Sequence, residues 1–179
     1  MERVDWGKVW GHDAALDLPL LHFARMNRIP LGALNVERAM VAKGGAAGWQ
    51  AVPAAEREGV TDPAPASEAY RRWLREAYQA HPPKAREDAR RAEGESTEAV
   101  AERTFDRFVE GMLVWDRAMA QAIADQLRAN PAATVVAIMG SGHVAFGFGV
   151  PSQLASLGVT NIAALLPIDS DRSAHHIRN

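Results

Sequence analysis

Apolar side chains recur every three or four residues in several parts of the chain, a spacing that predicts amphipathic helices. The longest of these stretches begins after Ser96 and ends at Asn130-Pro131. It predicts one helix of roughly 30 residues, because proline cannot continue a helix. Another stretch follows Asp13, whose carboxylate could cap the first turn. Further helices are predicted at residues 36–43, where Gly44 and Gly45 stop the helix, at 67–81, and at 151–157 before Gly158.

Three short segments are continuously apolar instead, which is typical of strands that are covered on both faces. They are "IPLGALN" (29–35), "TVVAIM" (134–139) and "TNIAALLP" (160–167). Helices that alternate with such strands predict an α/β fold, a three-layer structure with a mostly parallel sheet and helices on both faces. Three strands are few for this class, which predicts a domain that is incomplete at both ends.

The segments between these elements are polar or poor in bulky side chains. Residues 44–66 are rich in Gly, Ala and Pro, which predicts an irregular surface excursion. Residues 84–96 are almost all charged, as in a solvated helix face or a flexible lid. Residues 170–179 form a polar tail, and residues 1–179 are predicted to be a single domain.

Composition excludes several classes of function. Hydrophobic residues make up 47% and charged residues 23% of the chain, as in ordinary globular proteins. The net charge of -2 predicts no nucleic-acid or anionic-membrane partner. Cysteine is absent, so the chain has no disulfide, zinc-thiolate or iron–sulfur site. No run approaches the roughly 20 apolar residues of a membrane helix, and no signal-peptide core is present, so the compartment stays open.

The loop after "TVVAIM" is the main candidate site, because ligands of parallel α/β sheets bind beyond the carboxyl ends of the strands. The loop consists of Gly140, Ser141, Gly142 and His143. The glycines allow a ligand to approach closely, and consecutive amide hydrogens in such a turn can point at an anion. His143 could ligate a metal, accept a proton or hold a ligand. The same residues would also form an ordinary turn without a ligand, so both interpretations stay open.

Other side chains can be placed relative to this loop. Asn35 and Arg38 lie at or just after the carboxyl end of another predicted strand, so they could face the same crevice as His143. Trp115 and Asp116 have the spacing of core residues on the long helix. That spacing favours packing over contact with a cofactor.

Four stretches of the sequence resemble one protein family in the right order. They are "LPLLHFARMNRIPLGALNVER", "GVTDPAPASEAY", "FVEGMLVWDRAMAQAIA" and "VVAIMGSGHVAFGFGVPSQLASLGVTNIAALLP". The most specific pieces are "WDRAMA" (115–120) and "GSGHVAFGFGVP" (140–151). Together they resemble the ChaN-like family of haem-binding, iron-regulated proteins. The second piece matches the Gly-x-x-His element of a wider group that includes TraB/TIKI proteins and erythromycin esterase-like enzymes.

The resemblance implies a three-layer α/β fold, a dimer that could sandwich haem, and a lipoprotein of the bacterial cell envelope. His143 matches the group's histidine and Gly140 its glycine, while Asn35 and Arg38 match the family's strand-end Asn-x-x-Arg. The family also opens with a strand that carries a Gly-Glu-x-His element, and nothing in this sequence matches it. The chain is therefore expected to be a fragment of the family's domain.

The leading hypothesis from the resemblance is a haem-binding protein for iron uptake or haem handling. Arg38 would pair with the propionates. His143 or a tyrosine, either Tyr70 or Tyr78, would ligate the iron. An alternative is a metal-dependent hydrolase of the TraB/TIKI type, with His143 as a ligand of a divalent metal. Such a site usually needs three protein ligands, which makes a non-enzyme the favoured prediction. The remaining alternative is a non-catalytic scaffold or subunit.

Overall fold

The computed structural model describes residues 12–80 and 96–167, so the tail at 170–179 and all but the last residue of the charged run at 84–96 lie outside the described residues. The chain divides into two compact units, Met1–Ala33 and Leu34–Asn179. The described residues form five α-helices: α1 (Leu18–Met26), α2 (Arg38–Ala47), α3 (Glu68–Ala80), α4 (Thr97–Ala129) and α5 (Val150–Ser156). Short 3-10 helices lie at Ala14–Leu16, Trp49–Ala51, Ala54–Glu56, Ser141–His143 and Ala145–Gly147.

The first unit contains the helix that was predicted after Asp13. The side chain of Asp13 accepts a hydrogen bond from the Ala15 N–H at 2.9 Å, and so caps the 3-10 turn that precedes α1. Helix α1 then runs to Met26 with a proline in its first turn, where the missing N–H has no helical partner to lose.

Helix α4 is the longest element and organises the second unit. The hydroxyl of Ser96 accepts a hydrogen bond from the Ala99 N–H at 3.1 Å, which caps the start of the helix. The helix runs for 33 residues to Ala129, just before Asn130 and Pro131. The prediction of one long helix between these signals is confirmed. No helix in the described ranges, α4 included, is both long and apolar enough to cross a membrane.

Three clusters of buried side chains follow one another along α4. The first lies between α3 and α4 and consists of Tyr70, Leu74, Phe105 and Val109. The second joins α2 and segment 44–66 to the middle of α4 and consists of Met40, Trp49, Val52, Val60, Val114 and Ala118. The third joins α5 to the C-terminal part of α4 and consists of Met119, Ala120, Ile123, Ala124, Val150 and Leu154. One helix thus forms part of every cluster.

The predicted three-layer α/β fold with a parallel sheet is wrong for the described residues, which are helical and contain neither a strand nor a sheet. The three apolar segments at 29–35, 134–139 and 160–167 are neither helical nor paired with one another. None of the described backbone hydrogen bonds joins two of them. A strand depends on hydrogen bonds to a neighbouring strand, which an apolar sequence does not supply by itself.

Residues 134–139 nevertheless keep the side-chain alternation of a strand. Val135, Ala137 and Met139 pack against the third cluster. Val136 and Ile138, between them, are 82% and 63% exposed. A period of two is the pattern that an extended backbone gives. The predicted strand, covered on both faces, is therefore wrong for this segment, because only one of its faces packs against the protein.

Segment 44–66, predicted to be an irregular surface excursion, contributes Trp49, Val52 and Val60 to the second cluster. Helix α2 also continues through the glycine pair to Ala47, beyond its predicted end. A Cβ atom on Gly45 would lie 3.2 Å from the carbonyl oxygen of Arg107 in α4. Glycine at this position therefore allows the two helices to approach closely.

Arg117 of α4 forms hydrogen bonds with both segment 44–66 and α5. It is 8% exposed, and its described hydrogen-bond partners are neutral groups. Nε and Nη2 donate to the Thr61 hydroxyl at 3.0 and 2.7 Å, and Nη1 donates to the Ser156 hydroxyl at 2.7 Å. Burial lowers the pKa of Arg117, and the negative charge of Asp62 opposes that effect. The planar fork of the guanidinium allows these bonds to form together.

We expect Arg117→Lys to lower the free energy of unfolding by about 1–3 kcal/mol, because a lysine cannot reach both hydroxyls and leaves a buried polar group unpaired. Urea unfolding followed by circular dichroism measures this change. Arg128→Lys is the matched control, since Arg128 is a 69% exposed arginine of the same helix. We expect it to change the free energy by less than about 0.5 kcal/mol. Equal effects of the two substitutions would contradict the role given to Arg117.

Candidate functional site

His143 lies at the end of the 3-10 turn Ser141–His143, directly after Gly140. The backbone N–H of His143 donates to the Gly140 carbonyl at 3.0 Å, which closes the turn. The side chain is 18% exposed, and its Nδ1 atom lies 2.7 Å from Oδ1 of Asp116. The ring also meets Trp115 edge to face, with 5.7 Å between the ring centroids. The loop thus presents a largely buried imidazole that two neighbouring residues of α4 contact.

Asp116 is fully buried, at 0% exposure, in the middle of α4. Its Oδ1 atom pairs with Nδ1 of His143, and its Oδ2 atom accepts a hydrogen bond from the Tyr70 hydroxyl at 2.7 Å. A buried carboxylate is tolerated only when donors satisfy its charge. Each oxygen of Asp116 has one donor, one from α3 and one from the loop after residue 139.

The contact with Asp116 decides which ring nitrogen of His143 can bind a ligand. An ionised carboxylate accepts hydrogen bonds only, so Nδ1 carries a hydrogen. In the neutral ring Nε2 then keeps its lone pair. No group in the described parts of the chain is hydrogen-bonded to Nε2. A buried carboxylate behind an imidazole is the arrangement by which proteins orient metal-binding histidines.

Tyr70 is 3% exposed and belongs to α3. Burial raises the pKa of Tyr70, and the charge of Asp116 together with the hydrogen bond raises it further. The phenol therefore keeps its proton and donates to the carboxylate. Tyr78, the other tyrosine considered as an iron ligand, packs edge to face against Phe105 with 5.7 Å between centroids. The Tyr70 hydroxyl therefore already donates its hydrogen to Asp116. The ring of Tyr78 belongs to an aromatic cluster.

Asn35 and His143 share Trp115 as a neighbour. The Nε1–H of Trp115 donates to Oδ1 of Asn35 at 2.6 Å, while the same indole contacts the imidazole. Trp115 therefore contacts both residues, and the crevice that the sequence assigned to them stays a prediction. Arg38 is the first residue of α2 and is exposed. Ser141 is also exposed.

Gly149 lets the loop close over Asp116. It has a φ of +58°, and a Cβ atom there would lie 2.6 Å from the His143 carbonyl oxygen. The same atom would lie 3.1 Å from both carboxylate oxygens of Asp116. Gly142 is less constrained, because its Cβ atom would lie 3.6 Å from the Trp73 ring. Gly149 is therefore the position at which a side chain would push His143 and Asp116 apart.

Asp116 is the site residue that sequence reasoning missed, because it was assigned to the core. Asp116 is indeed buried. The need of a buried carboxylate for donor side chains around it was not inferred from the sequence. Asp116 lies four residues after Met112 and three before Met119, so it belongs to the apolar stripe of the helix. A carboxylate on such a stripe needs buried donors, and this signal was available in the sequence.

The described residues contain no group of three or more His, Asp or Glu side chains that could hold a metal ion together. His143 is therefore a single donor with one carboxylate behind it.

We expect Gly149→Ala to displace the loop and to lower the free energy of unfolding by about 1–3 kcal/mol more than Gly147→Ala does, because only the first change overpacks the site. Gly147 is the matched control, since it has a φ of +74° but no atom within 4 Å of the position that an added Cβ would take. It therefore reports the backbone strain alone. Urea unfolding of both variants gives the difference. Equal losses would show that the close approach to Asp116 does not matter.

Comparison with known proteins identifies the family. A family model described as "Haem-binding uptake, Tiki superfamily, ChaN" matches residues 1–154, which is more than half of the chain. The match includes Asn35, Asp116 and His143. Neither the curated proteins nor the solved structures gave a significant match to this sequence. The chain belongs to the ChaN family of haem-binding uptake proteins in the Tiki superfamily.

Proposed function

We propose that this chain binds haem and that Nε2 of His143 ligates the iron. The observation that carries the proposal is a ring whose Nδ1 is held by the buried carboxylate of Asp116 and whose Nε2 has no hydrogen-bond partner among residues 12–80 and 96–167. When bound, haem would supply an iron that His143 could hold through its imidazole nitrogen. A carboxylate behind the ring fixes the tautomer and makes the ligating nitrogen more basic.

The side chains around His143 fit a flat, largely apolar ligand that carries carboxylates. Trp115 meets the imidazole. Phe146, three residues after His143, is 65% exposed. The amide of Asn35 accepts the Trp115 hydrogen bond through its oxygen, so its NH₂ group can donate to a propionate. In this proposal Arg38, at the start of α2, pairs with the second propionate.

Gly140, Ser141 and Gly142 have a supporting role in the proposal. Gly140 and Ser141 are exposed, and Gly142 is half-buried. With small or absent side chains, this turn would let the ligand approach the imidazole without obstruction. The hydrolase alternative with a divalent metal at His143 gains no support, because the described ranges offer no cluster of metal-binding side chains.

The family resemblance also suggests an assembly for the proposed haem protein. We propose a homodimer that encloses haem. Light scattering on the purified chain with and without haemin tests this assembly. A mass that corresponds to one 19.4 kDa chain plus its bound haemin would contradict the dimer.

We expect haemin to give a shifted Soret band with the parent chain, and His143→Ala to weaken binding by about tenfold or more, because the variant loses the iron ligand. Absorbance titration gives the dissociation constants. His22→Ala is the matched control, because it removes a histidine of α1 in the other compact unit.

The outcome that would contradict the proposal is equal haemin affinity and an identical Soret band in the parent chain and in His143→Ala. A loss in His22→Ala equal to that in His143→Ala would also contradict it, since binding would then not depend on the position of His143. Circular dichroism of each variant shows that its helices are intact.

A further inference from the structure

We propose that Tyr70 is a positioning residue for His143 and that it acts through Asp116. The hydroxyl of Tyr70 donates to Oδ2 of Asp116, and Oδ1 of the same carboxylate faces Nδ1 of His143. Tyr70 would thereby fix the rotation of the carboxylate. It would also limit the negative charge on Oδ1, the oxygen that faces the imidazole. The effect on the ring is independent of haem, whereas the effect on bound iron depends on the proposed function.

The rotation of the carboxylate needs an external constraint. The terminal torsion of an aspartate is broad and roughly two-fold, so the side chain does not orient its own oxygens. Both oxygens of Asp116 lie at 2.7 Å from a donor. These two bonds define the plane of the carboxylate. Without the Tyr70 hydroxyl, Oδ2 would have no donor among the described residues.

The strength of the bond to His143 depends on how the charge of Asp116 is shared. Asp116 is 0% exposed, so protein donors rather than water set the charge on its oxygens. A hydrogen bond to Oδ2 draws charge away from Oδ1, because bonds in a buried network polarise one another. Loss of that bond would make Oδ1 a stronger acceptor. The Nδ1–H bond would shorten, and Nε2 would become more basic.

The Tyr70 ring is held independently of its hydroxyl. It contacts Phe148 and Trp73, with centroid distances of 5.5 and 6.0 Å. Tyr70→Phe keeps these ring contacts and removes only the donor. The chain has two tyrosines, Tyr70 and Tyr78, so Tyr78→Phe is a matched control that removes a hydroxyl from the same helix.

The decisive measurement is NMR of the haem-free protein with ¹⁵N-labelled histidine. We expect the Nδ1–H tautomer of His143 in the parent chain, and a downfield shift of its Nδ1–H resonance in Tyr70→Phe, because the bond to Asp116 strengthens. Tyr78→Phe should leave the resonance unchanged. Unchanged Nδ1–H and Nε2 resonances in a folded Tyr70→Phe would overturn the proposal.

A second variant keeps the test decisive if Tyr70→Phe fails to fold. In the Tyr78→Phe background, growth on 3-fluorotyrosine labels Tyr70 alone. The fluorinated phenol is a stronger donor and should shift the His143 resonance upfield, opposite to the effect of Tyr70→Phe. No shift, or a downfield shift, would overturn the proposal.

Haemin binding distinguishes the two proposals from each other. If the parent chain gives no Soret shift, the proposed function fails, while the haem-free NMR experiment still decides the role of Tyr70. If haemin binds, Tyr70→Phe should retain the complex and lower the ferrous-to-ferric ratio at a fixed potential by about threefold or more, because a more basic ligand favours ferric iron. An unchanged ratio would contradict the effect on iron.

Discussion

The buried charge of Asp116 is the constraint on which the rest of the site depends. An ionised carboxylate without solvent contact must be met by donors from the protein. The two donors come from Tyr70 and His143, which lie 46 residues before and 27 residues after Asp116 in the sequence. The helix that carries Asp116 therefore fixes the positions of α3 and of the glycine loop relative to each other. The same carboxylate holds Nδ1 of the His143 ring, so the orientation of the imidazole also depends on it.

The helices could be predicted from the sequence because their determinants are local. The 33-residue α4 begins at a capping serine and ends before a proline, and both signals lie next to the residues that they control. The three-layer sheet was predicted from three apolar segments, and it is wrong. Sheet formation depends on partners that are distant in sequence, and the spacing of apolar residues within one segment carries no information about such partners.

The candidate site shows the same difference between features with local determinants and features that depend on distant contacts. The glycine loop and His143 could be selected as candidates from the sequence, because glycines and a titratable imidazole follow an apolar segment, and their role in ligand binding stays a prediction. Asp116 was assigned to the core, which its burial supports, but its partners could not be predicted. Tyr70 was considered as an iron ligand, yet its hydroxyl is bonded to Asp116. Each of these roles depends on a contact between distant parts of the chain, which only the folded arrangement reveals.

The order of synthesis has a consequence for the loop that closes over Asp116. During translation α3 and α4 leave the ribosome before residues 140–149 do, so Asp116 and Tyr70 can pair before His143 exists. The imidazole is oriented only when the loop docks, with Gly149 giving the clearance that docking needs. The orientation of this imidazole therefore depends on a docking step that follows the synthesis of both helices.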